Sequence, residues 1–477
     1  MPGLSLMRHV SRVSVPVPAA ELFRWHARPG AFQRLTPPWQ PVSLQRHDGI
    51  RDGDRAVIRL GGKTLGLDWI AEHHGYDDGC LEGDGPCGFQ DVQVSGPFGS
   101  WHHRHRMLPA PAGSVLEDDV TYTLPLDPVS RIGAPLASGQ IERLFAYRHR
   151  ITSLDLRRHL EADASPQTVA ITGASGTVGS ALAAFLTTGG HAVVRLVRRR
   201  QDATSRSGQD RAVYWNVERG EIDLDALEDA APDVVVHLAG EPVTSLDGSA
   251  EARRRIWESR TKGTQLLSRA LASMRRPPRA LVCASASGYY SERGDEVLSE
   301  DSGPGDDFLA NVTVAWEAST AEAENAGIRV VHGRIGLVTT PAGGLLQVLG
   351  PVAATGLGGW IGRGDAWWSW IALDDLVYAL WWLARADVRG PFNVCAPDPT
   401  SMRTFVKTLA SVQNRPAVMR VPEGLVRAVG GELARSLVLK SIRMDSSRLQ
   451  DAGFQFSLPD LRTALGHVTG HLDAHTL

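Results

Sequence analysis

The chain has 477 residues, which at roughly 150 residues per domain predicts about three folding units. Its 50 Lys and Arg against 53 Asp and Glu leave a formal net charge of −3. The sequence therefore lacks the basic excess of a general nucleic-acid or membrane-surface binder. With 43% hydrophobic and 22% charged residues, the composition is typical of a globular protein and excludes wholesale disorder.

The cysteines and the apolar segments predict the compartment. The four cysteines are too few and too scattered to stabilise a chain of this length through disulfides. The spacing of the closest pair does not match that of a zinc site. The four are Cys80, Cys87, Cys283 and Cys395. The N-terminus lacks the apolar run of a secretory signal, and Asp374 and Asp375 interrupt the tryptophan-rich stretch nearest to a membrane span. We therefore expect a soluble, cytoplasmic protein with reduced cysteines and no membrane partner.

The first 160 residues predict an antiparallel sheet followed by one helix. Apolar and polar residues alternate in RAVIRLGG, LDWIAEHH, FQDVQVSG, SWHHRHRML and VLEDDVTYTLPL, and turn residues separate these segments. From Ala134 to about Glu161 the pattern becomes helical, with one face formed by Ile141, Leu144, Phe145, Arg148 and Ile151. We predict an α+β unit over residues 1–162 in which this helix covers the sheet.

After a linker at 163–168, the pattern changes to alternating strands and helices. The segment TVAITGASGTVGSALAAFLTTGGHAVVRLVRR predicts strand, glycine loop, helix and strand, and further strands are predicted at Asp233 to Leu238, Ala280 to Ala284 and Arg329 to Arg334. This recurrence predicts an α/β domain at 169–400 with a doubly wound parallel sheet. A small, mostly helical part follows at 401–477.

The glycine loop predicts a dinucleotide site. Gly173, Gly176 and Gly179 lie between the predicted strand and helix, where residues without side chains let backbone amides and the helix N-terminus approach a pyrophosphate. A purely structural turn is the alternative. The second strand ends in VVRLVRRR, with Val197 at the position of the acid that would hold the ribose of NAD, and Arg198 directly after it. Because a guanidinium suits a 2′-phosphate, NADP(H) is favoured over NAD(H), the alternative being a solvated basic turn.

At this point the sequence resembles a known family. TGASGTVG, VVVHLAGEPV, ESRTKGTQLL, SASGYYSERGDEVLSEDSGPGDDFLANVTVAWE, WWSWIALDDLV and the GFQF tail occur in the order seen in the YfcH-like epimerase family, an atypical branch of the extended short-chain dehydrogenase/reductases. The resemblance runs from about Thr168 to the C-terminus. It implies a Rossmann-type core that binds a nicotinamide dinucleotide, a sugar-epimerase-like activity on largely undefined substrates, and the family's own small C-terminal domain.

The resemblance also implies roles for individual residues. Ala239 and Gly240 match the segment beside the adenine and ribose, Arg260 matches a polar position near the cofactor, and Ser285 matches the serine that hydrogen-bonds the reacting carbonyl. The residues that match the pyrophosphate loop are Gly173, Ser175, Gly176, Thr177, Val178 and Gly179.

The expected catalytic pair is missing. The wider superfamily uses a tyrosine and, four residues later, a lysine on one helix face, but no Y-x-x-x-K occurs here, and Leu309 and Thr313 stand at those positions. The candidate replacements are Tyr289 and Tyr290, with packing or substrate contact as the alternative.

For several charged residues, the sequence is compatible with both a chemical and a structural role. For the carboxylates Asp306, Asp307 and Glu317, a base and a helix cap are both compatible with the sequence. Arg334 suits an anionic substrate or a structural ion pair. Ala372 replaces the histidine of the family's W-x-S-W-I-H-x-D-D-L segment, so a function that depends on that imidazole is lost.

The first 160 residues resemble the SRPBCC (START-like, polyketide cyclase/dehydrase-like) superfamily in RLTPPWQPV, FQDVQVSGPFGSWHHRH, DDVTYTLPL and the long helix that follows. The resemblance implies a helix-grip fold around a cavity for lipophilic small molecules. On a strand only His103 and His105 share a face, while His102 points the other way. Two imidazoles are too few for zinc, so we predict no metal and interpret them as a cavity-lining or surface pair. Asp91, Asp118 and Asp119 suit proton transfer or sheet-edge roles.

Together these patterns predict an NADP(H)-binding, epimerase/dehydratase-like oxidoreductase fused to a domain that binds a hydrophobic small molecule. Its partners would be small molecules, not nucleic acid or membrane, and the oligomeric state is not predicted. The alternative is a non-catalytic NADP(H)-binding sensor, which the missing Tyr-Lys pair favours and the retained Ser285 disfavours.

Overall fold

The computed structural model describes residues 6–61, 66–125, 134–162, 165–203, 210–424 and 439–472. Contacts divide the chain into two compact units. The N-terminal unit comprises Met1–Ala164, Thr187–Gly190 and Gly470–Leu477. The C-terminal unit comprises Ser165–Leu186 and His191–Thr469, so the segment after residue 400 belongs to the same unit as the α/β core.

The N-terminal unit contains a seven-stranded antiparallel sheet of order β1-β7-β6-β5-β4-β3-β2. The five alternating segments of the sequence correspond to β3 to β7. The strands are β1 Met7–Val15, β2 Val42–His47, β3 Arg55–Leu60, β4 Leu67–Asp77, β5 Cys87–Ser95, β6 Ser100–Ala110 and β7 Gly113–Thr123.

The predicted long helix is present and packs on this sheet. It spans Ala134–Ala162 and follows two shorter helices. Phe145 and Ile141 are buried against Trp101, Val120 and Tyr122 of the sheet, as the helical pattern of apolar residues predicts. The helices are α1 Ala19–Ala27, α2 Ala31–Leu35 and α3 Ala134–Ala162.

The C-terminal unit is built on an eight-stranded sheet of order β11-β10-β9-β8-β12-β13-β15-β20, parallel except for the β10–β11 pair. Strands with near-continuous apolar sequences form its buried centre, as expected for a parallel sheet covered on both faces. The strands are β8 Thr168–Thr172, β9 Ala192–Val197, β10 Asp210–Asn216, β11 Glu221–Ile222, β12 Val234–His237, β13 Ala280–Ala286, β15 Arg329–Ile335 and β20 Gly390–Val394.

Shorter strands pair outside this sheet as β14–β23, β16–β19, β17–β22 and β18–β21. They are β14 Val297–Leu298, β16 Leu337–Thr339, β17 Gly358–Ile361, β18 Trp367–Trp368, β19 Trp370–Ala372, β21 Thr400–Ser401, β22 Ala417–Val421 and β23 Arg443–Met444. The helices of this unit are α4 Thr177–Thr188, α5 Leu224–Ala230, α6 Ala250–Ser273, α7 Phe308–Ala318, α8 Ala321–Asn325, α9 Gly344–Ala354, α10 Leu373–Arg385, α11 Met402–Val412, α12 Ser447–Asp451 and α13 Leu461–Thr469.

The cysteines differ from the expectation in one respect. Cys80 and Cys87 form a disulfide, with their Cα atoms 5.3 Å apart, whereas Cys283 and Cys395 are unpaired and buried. The prediction that all four are reduced was therefore wrong for the first pair, because the connection between β4 and β5 folds back and brings the two residues together. Within the described ranges, no helix is both long and apolar enough to cross a membrane.

Candidate functional site

The glycine loop forms a tight turn between β8 and α4. Gly173 follows β8 with φ +70°, and a Cβ there would lie 2.9 Å from the carbonyl carbon of Leu238. A Cβ on Gly179 would collide with the carbonyl oxygen of Gly173. Both positions therefore require glycine, one for its backbone conformation and both for close approach. Ser175, Gly176 and Thr177 are exposed at the start of α4, where helix amides favour a phosphate.

A buried histidine that the sequence reading missed aligns the neighbouring segment with this loop. His237 ends β12, and its ring nitrogens hydrogen-bond Thr172 Oγ1 at 2.7 Å and Thr264 Oγ1 at 2.9 Å. Burial lowers its pKa to about 4, so the ring is neutral near pH 7. Thr172 Oγ1 also accepts from the amides of Leu238 and Ala239, at 3.0 and 3.1 Å. Ala239 and Gly240 are thereby held beside the loop.

Arg260 lines a pocket at the carboxyl edge of the sheet. Its guanidinium donates to the carbonyl of Glu241 at 2.9 Å and lies 5.0 Å from the ring centroid of Trp316. Burial lowers the Arg260 pKa to about 10, which still leaves it charged near pH 7. It therefore places a fixed positive charge beside Gly240.

Arg198 and Arg200, which follow β9, have different environments. Arg200 contacts Glu221 at 3.3 Å and lies 4.3 Å from the centroid of the Tyr214 ring. Arg198 is exposed directly after the strand and has no ion-pair partner among the described residues. Arg198 is thus available to a ligand, whereas Arg200 is engaged.

Ser285 lies near the end of β13 and is buried. Its hydroxyl donates to Glu317 Oε1 at 2.6 Å, and Arg334 forms a bidentate pair with the same carboxylate, with both contacts at 2.9 Å. Burial by itself would lower the Arg334 pKa, but the hydrogen bonds and charge of Glu317 outweigh it, so that pKa is raised. Of the two alternatives left open for Arg334, this structure contains the ion pair.

The two candidate tyrosines pack around the same arginine. Tyr290 is fully buried, donates to Asn393 Oδ1 at 2.7 Å and accepts from Arg334 Nη1 at 3.0 Å. Burial raises the Tyr290 pKa to about 12. The Tyr289 ring centroid lies 3.4 Å from Cζ of Arg334. Neither tyrosine is among the described residues that line the pocket, so a catalytic role for either one stays a prediction.

Several residues that line the pocket were not predicted from the sequence as site residues. Leu309 and Thr313, at the positions of the missing Tyr and Lys, both line it, and the Thr313 hydroxyl donates to the Leu309 carbonyl at 2.7 Å. Lys440 reaches the pocket from the C-terminal segment and pairs with Asp307. No motif marks Lys440, because only the tertiary fold brings residue 440 beside α7. Ser287 adds a hydroxyl.

Asp307, Asp374 and Asp375 have structural partners, whereas the candidate Asp306 is exposed. Asp307 caps α7 by accepting from the amides of Leu309 and Ala310. Asp374 bonds His467 at 2.8 Å, and Asp375 accepts from the amides of Ser457 and Leu458, both at 2.8 Å. The aspartates that remain beside Ala372 therefore hold the C-terminal segment.

The histidines of β6 divide as strand alternation predicts. His102 is exposed, whereas His103 and His105 are buried beside Asp91 and Asp118. The surface alternative for this pair was therefore wrong. The sequence reading also undercounted the cluster, because Asp91 and Asp118 come from neighbouring strands.

Comparison with known proteins agrees with this geometry. The NAD dependent epimerase/dehydratase family matches residues 169–395, and a domain of unknown function, DUF1731, matches residues 421–468. Epimerase family protein Mb2239 of Mycobacterium bovis is 39% identical over 302 residues, which is 63% of this chain and 97% of that protein. The chain belongs to the epimerase family. Family member YfhF of Bacillus subtilis is 32% identical over 304 residues, 63% of this chain and 97% of its own length.

Solved structures extend the similarity. A nucleoside-diphosphate sugar epimerase from Corynebacterium glutamicum matches with a TM-score of 0.78 and 32% identity, over 98% of this chain and 91% of that one. Human epimerase family protein SDR39U1 with NADPH has a TM-score of 0.56 and 28% identity, over 64% and 100%. MoeE5 in complex with UDP-glucuronic acid and NAD, at 23% identity and a TM-score of 0.51 over 63% and 96%, shares the fold.

These matches confirm the predicted Rossmann-like epimerase core and its C-terminal family domain. They do not extend to the SRPBCC assignment, which stays a prediction. In the N-terminal unit, the structure contains a seven-stranded antiparallel sheet and a long helix.

The environment of Tyr290 predicts a structural cost for losing its hydroxyl. Tyr290→Phe leaves Asn393 and Arg334 each without one buried hydrogen bond, which should lower the free energy of unfolding by about 1–3 kcal/mol. We expect this loss in a denaturant titration of the full chain, with dinucleotide affinity unchanged. Tyr214→Phe, which removes an Oη bond to Glu221 at the periphery, is the control. Full stability with abolished turnover in Tyr290→Phe would instead identify a catalytic hydroxyl.

Proposed function

We propose that this family member is an NADP(H)-dependent oxidoreductase of the epimerase/dehydratase type that acts on a small molecule in the pocket beside α7. The observation that carries the proposal is the glycine turn, where Gly173 and Gly179 admit no side chain and the exposed start of α4 faces outward. This geometry suits a pyrophosphate. The human relative whose structure contains NADPH supports the same class of cofactor.

A bound nicotinamide would supply hydride exchange, and the residues of the pocket would supply the rest. Ser285 is buried and donates its hydroxyl proton in a hydrogen bond to Glu317; it is not among the described lining residues, so its role in holding a reacting carbonyl stays a prediction. Lys440 is the candidate proton carrier, because it and Arg260 are the titratable side chains among the described lining residues, and an arginine rarely releases its proton. Tyr289 and Tyr290 are the less direct candidates, since each is packed against Arg334.

The preference for NADP(H) rests on Arg198. Its exposure at the end of β9 and the absence of an ion-pair partner in the described part of the chain support a role in holding a 2′-phosphate. Val197, in place of an acid, removes the group that would repel that phosphate.

Arg198→Ala should therefore weaken NADPH binding selectively. Loss of one charge-assisted contact, roughly 1.5–3 kcal/mol, corresponds to a rise in Kd of about 10- to 100-fold, with NADH binding unchanged. Calorimetric titration of both coenzymes tests this. Arg200→Ala, from the same run but engaged with Glu221, should leave the ratio of the two affinities unaltered; equal effects of both variants would contradict the assignment.

Lys440→Met tests the pocket. With a panel of sugar nucleotides, ketones and polyketide-like compounds followed by NADPH absorbance, turnover should fall at least about 100-fold, as expected for a lost acid/base group. NADPH affinity should be retained. Lys262→Met is the control, since Lys262 pairs with Glu258 on the surface of α6. A variant as active as the wild type would exclude Lys440 as the proton carrier.

A non-catalytic NADP(H)-binding sensor is the second candidate. It is favoured by Leu309 and Thr313 at the catalytic positions and by the buried, hydrogen-bonded state of Tyr290. Tight NADPH binding without turnover of any compound in the panel would favour the sensor over the enzyme.

For the N-terminal unit we propose a ligand-binding module for a lipophilic small molecule, of the SRPBCC type, in a cytoplasmic protein. The seven-stranded antiparallel sheet with one long helix packed on it supports this assignment. A fluorescent fatty-acid analogue should bind the full chain with one site per protein and be displaced by unlabelled lipophiles. An absence of saturable binding would reduce this unit to a scaffold.

A further inference from the structure

The interior of the N-terminal unit contains a cluster of charged and imidazole side chains. Asp91 lies on β5, His103 and His105 on β6, and Asp118 on β7. Strand register brings them together, because Asp91 pairs with His103, and His105 pairs with Asp118. His149 joins them from α3, with its Nε2 2.6 Å from Asp118 Oδ2. Carboxylates at such depth need a compensating charge, which is either a protonated partner or a metal ion.

Three donor atoms of this cluster converge on one point. His103 Nδ1 is 3.0 Å and His105 Nε2 is 3.9 Å from Asp91 Oδ2. One ligand atom from each residue lies within 4.8 Å of those of the other two. Ligand atoms bound at about 2.0–2.2 Å to one ion stand about 3–3.5 Å apart. A small contraction of the cluster would therefore bring all three ligand atoms within bonding distance of one ion.

The opposite side of each ligand is held by the protein. Asp118 Oδ1 is 3.0 Å from His103 Nε2 and 2.7 Å from His105 Nδ1, which are the nitrogens facing away from Asp91. The second of these contacts lacks the angle of a hydrogen bond, so His105 Nδ1 is buried beside a carboxylate without a directed bond. Trp101 Nε1 donates to Asp91 Oδ1 at 3.1 Å and leaves Oδ2 for the cluster. Such outer partners orient the ligands of metal sites.

Among the described residues, Asp91, His103 and His105 are the group whose ligand atoms converge. The His26 ring is 5.8 Å from that of His105, and its Nδ1 bonds the Leu22 carbonyl at 2.9 Å. The Asp91 side chain is 15% exposed, compared with 3% for His103. Asp91 thus forms the side of the cluster that is open to solvent, which an entering ion or an additional ligand requires.

We propose that Asp91, His103 and His105 bind one divalent transition-metal ion, with Asp118, His149 and Trp101 as positioning residues. Two imidazoles and one carboxylate form the ligand set of open zinc and non-haem iron sites, which retain positions for water or a ligand oxygen. The site lies in the N-terminal unit and is independent of the dinucleotide site. An ion there would present a Lewis acid to an oxygen of a small molecule bound in this unit.

The test is titration of the untagged, full-length protein with Zn²⁺ after treatment with a chelator, followed by calorimetry. Wild type should bind one equivalent more than Asp91→Asn, which keeps the side-chain volume and an acceptor for Trp101. His103→Ala and His105→Ala should lose the same equivalent. Asp118→Asn should retain it with about 10- to 100-fold weaker affinity, as for other outer partners.

His102→Ala is the matched control, because it lies on the same strand with its side chain exposed on the other face. It should bind Zn²⁺ like wild type. Zn²⁺ should also raise the melting temperature of wild type and of His102→Ala, but not that of Asp91→Asn. If the alanine variants fail to fold, the comparison of wild type with folded Asp91→Asn decides. Equal stoichiometry in these two proteins, or an equal loss in His102→Ala, would overturn the proposal.

Discussion

The close approach of backbone at the turn after β8 is the constraint on which the functional half of this protein depends. Gly173 lies against the backbone of Leu238, and Gly179 lies against Gly173 itself, so neither position tolerates a side chain. The buried bridge from Thr172 through His237 to Thr264 links β8, β12 and α6. The backbone at the start of α4 is therefore held in a fixed turn, a geometry that suits an anion.

A second network organises the carboxyl edge of the sheet around β13 and β15. Ser285, Glu317, Arg334, Tyr290 and Asn393 form one chain of hydrogen bonds. Because the Arg334–Glu317 pair is largely buried, removing either partner would leave an uncompensated charge. This hydrogen-bonded network holds Tyr290 in the core, and Tyr289 packs against its Arg334. Thr313, Ser287 and Lys440 line the pocket instead. The family fold is thus retained, although Leu309 and Thr313 stand where the usual tyrosine and lysine would be.

The N-terminal unit illustrates how a sheet concentrates charge. Alternation places His103 and His105 on the inner face of β6, and the antiparallel register then brings Asp91 and Asp118 beside them from two further strands. Each residue alone resembles an ordinary strand residue. Together they form a buried cluster, and its net charge depends on whether it holds protons or a metal ion.

Many of the elements and the glycine turn could be predicted from the sequence alone, because periodicity and the glycine pattern are local properties of the chain. The sequence predicted β3 to β7, the long helix, the parallel core and the family. It also predicted which face His103 occupies, but not its neighbours. Three features emerge only from the folded chain: Tyr290 is buried, Lys440 lines the pocket, and Cys80 forms a disulfide with Cys87. These depend on contacts between segments distant along the chain, for which no local pattern exists, and on burial, which decides whether a polar group packs or reacts.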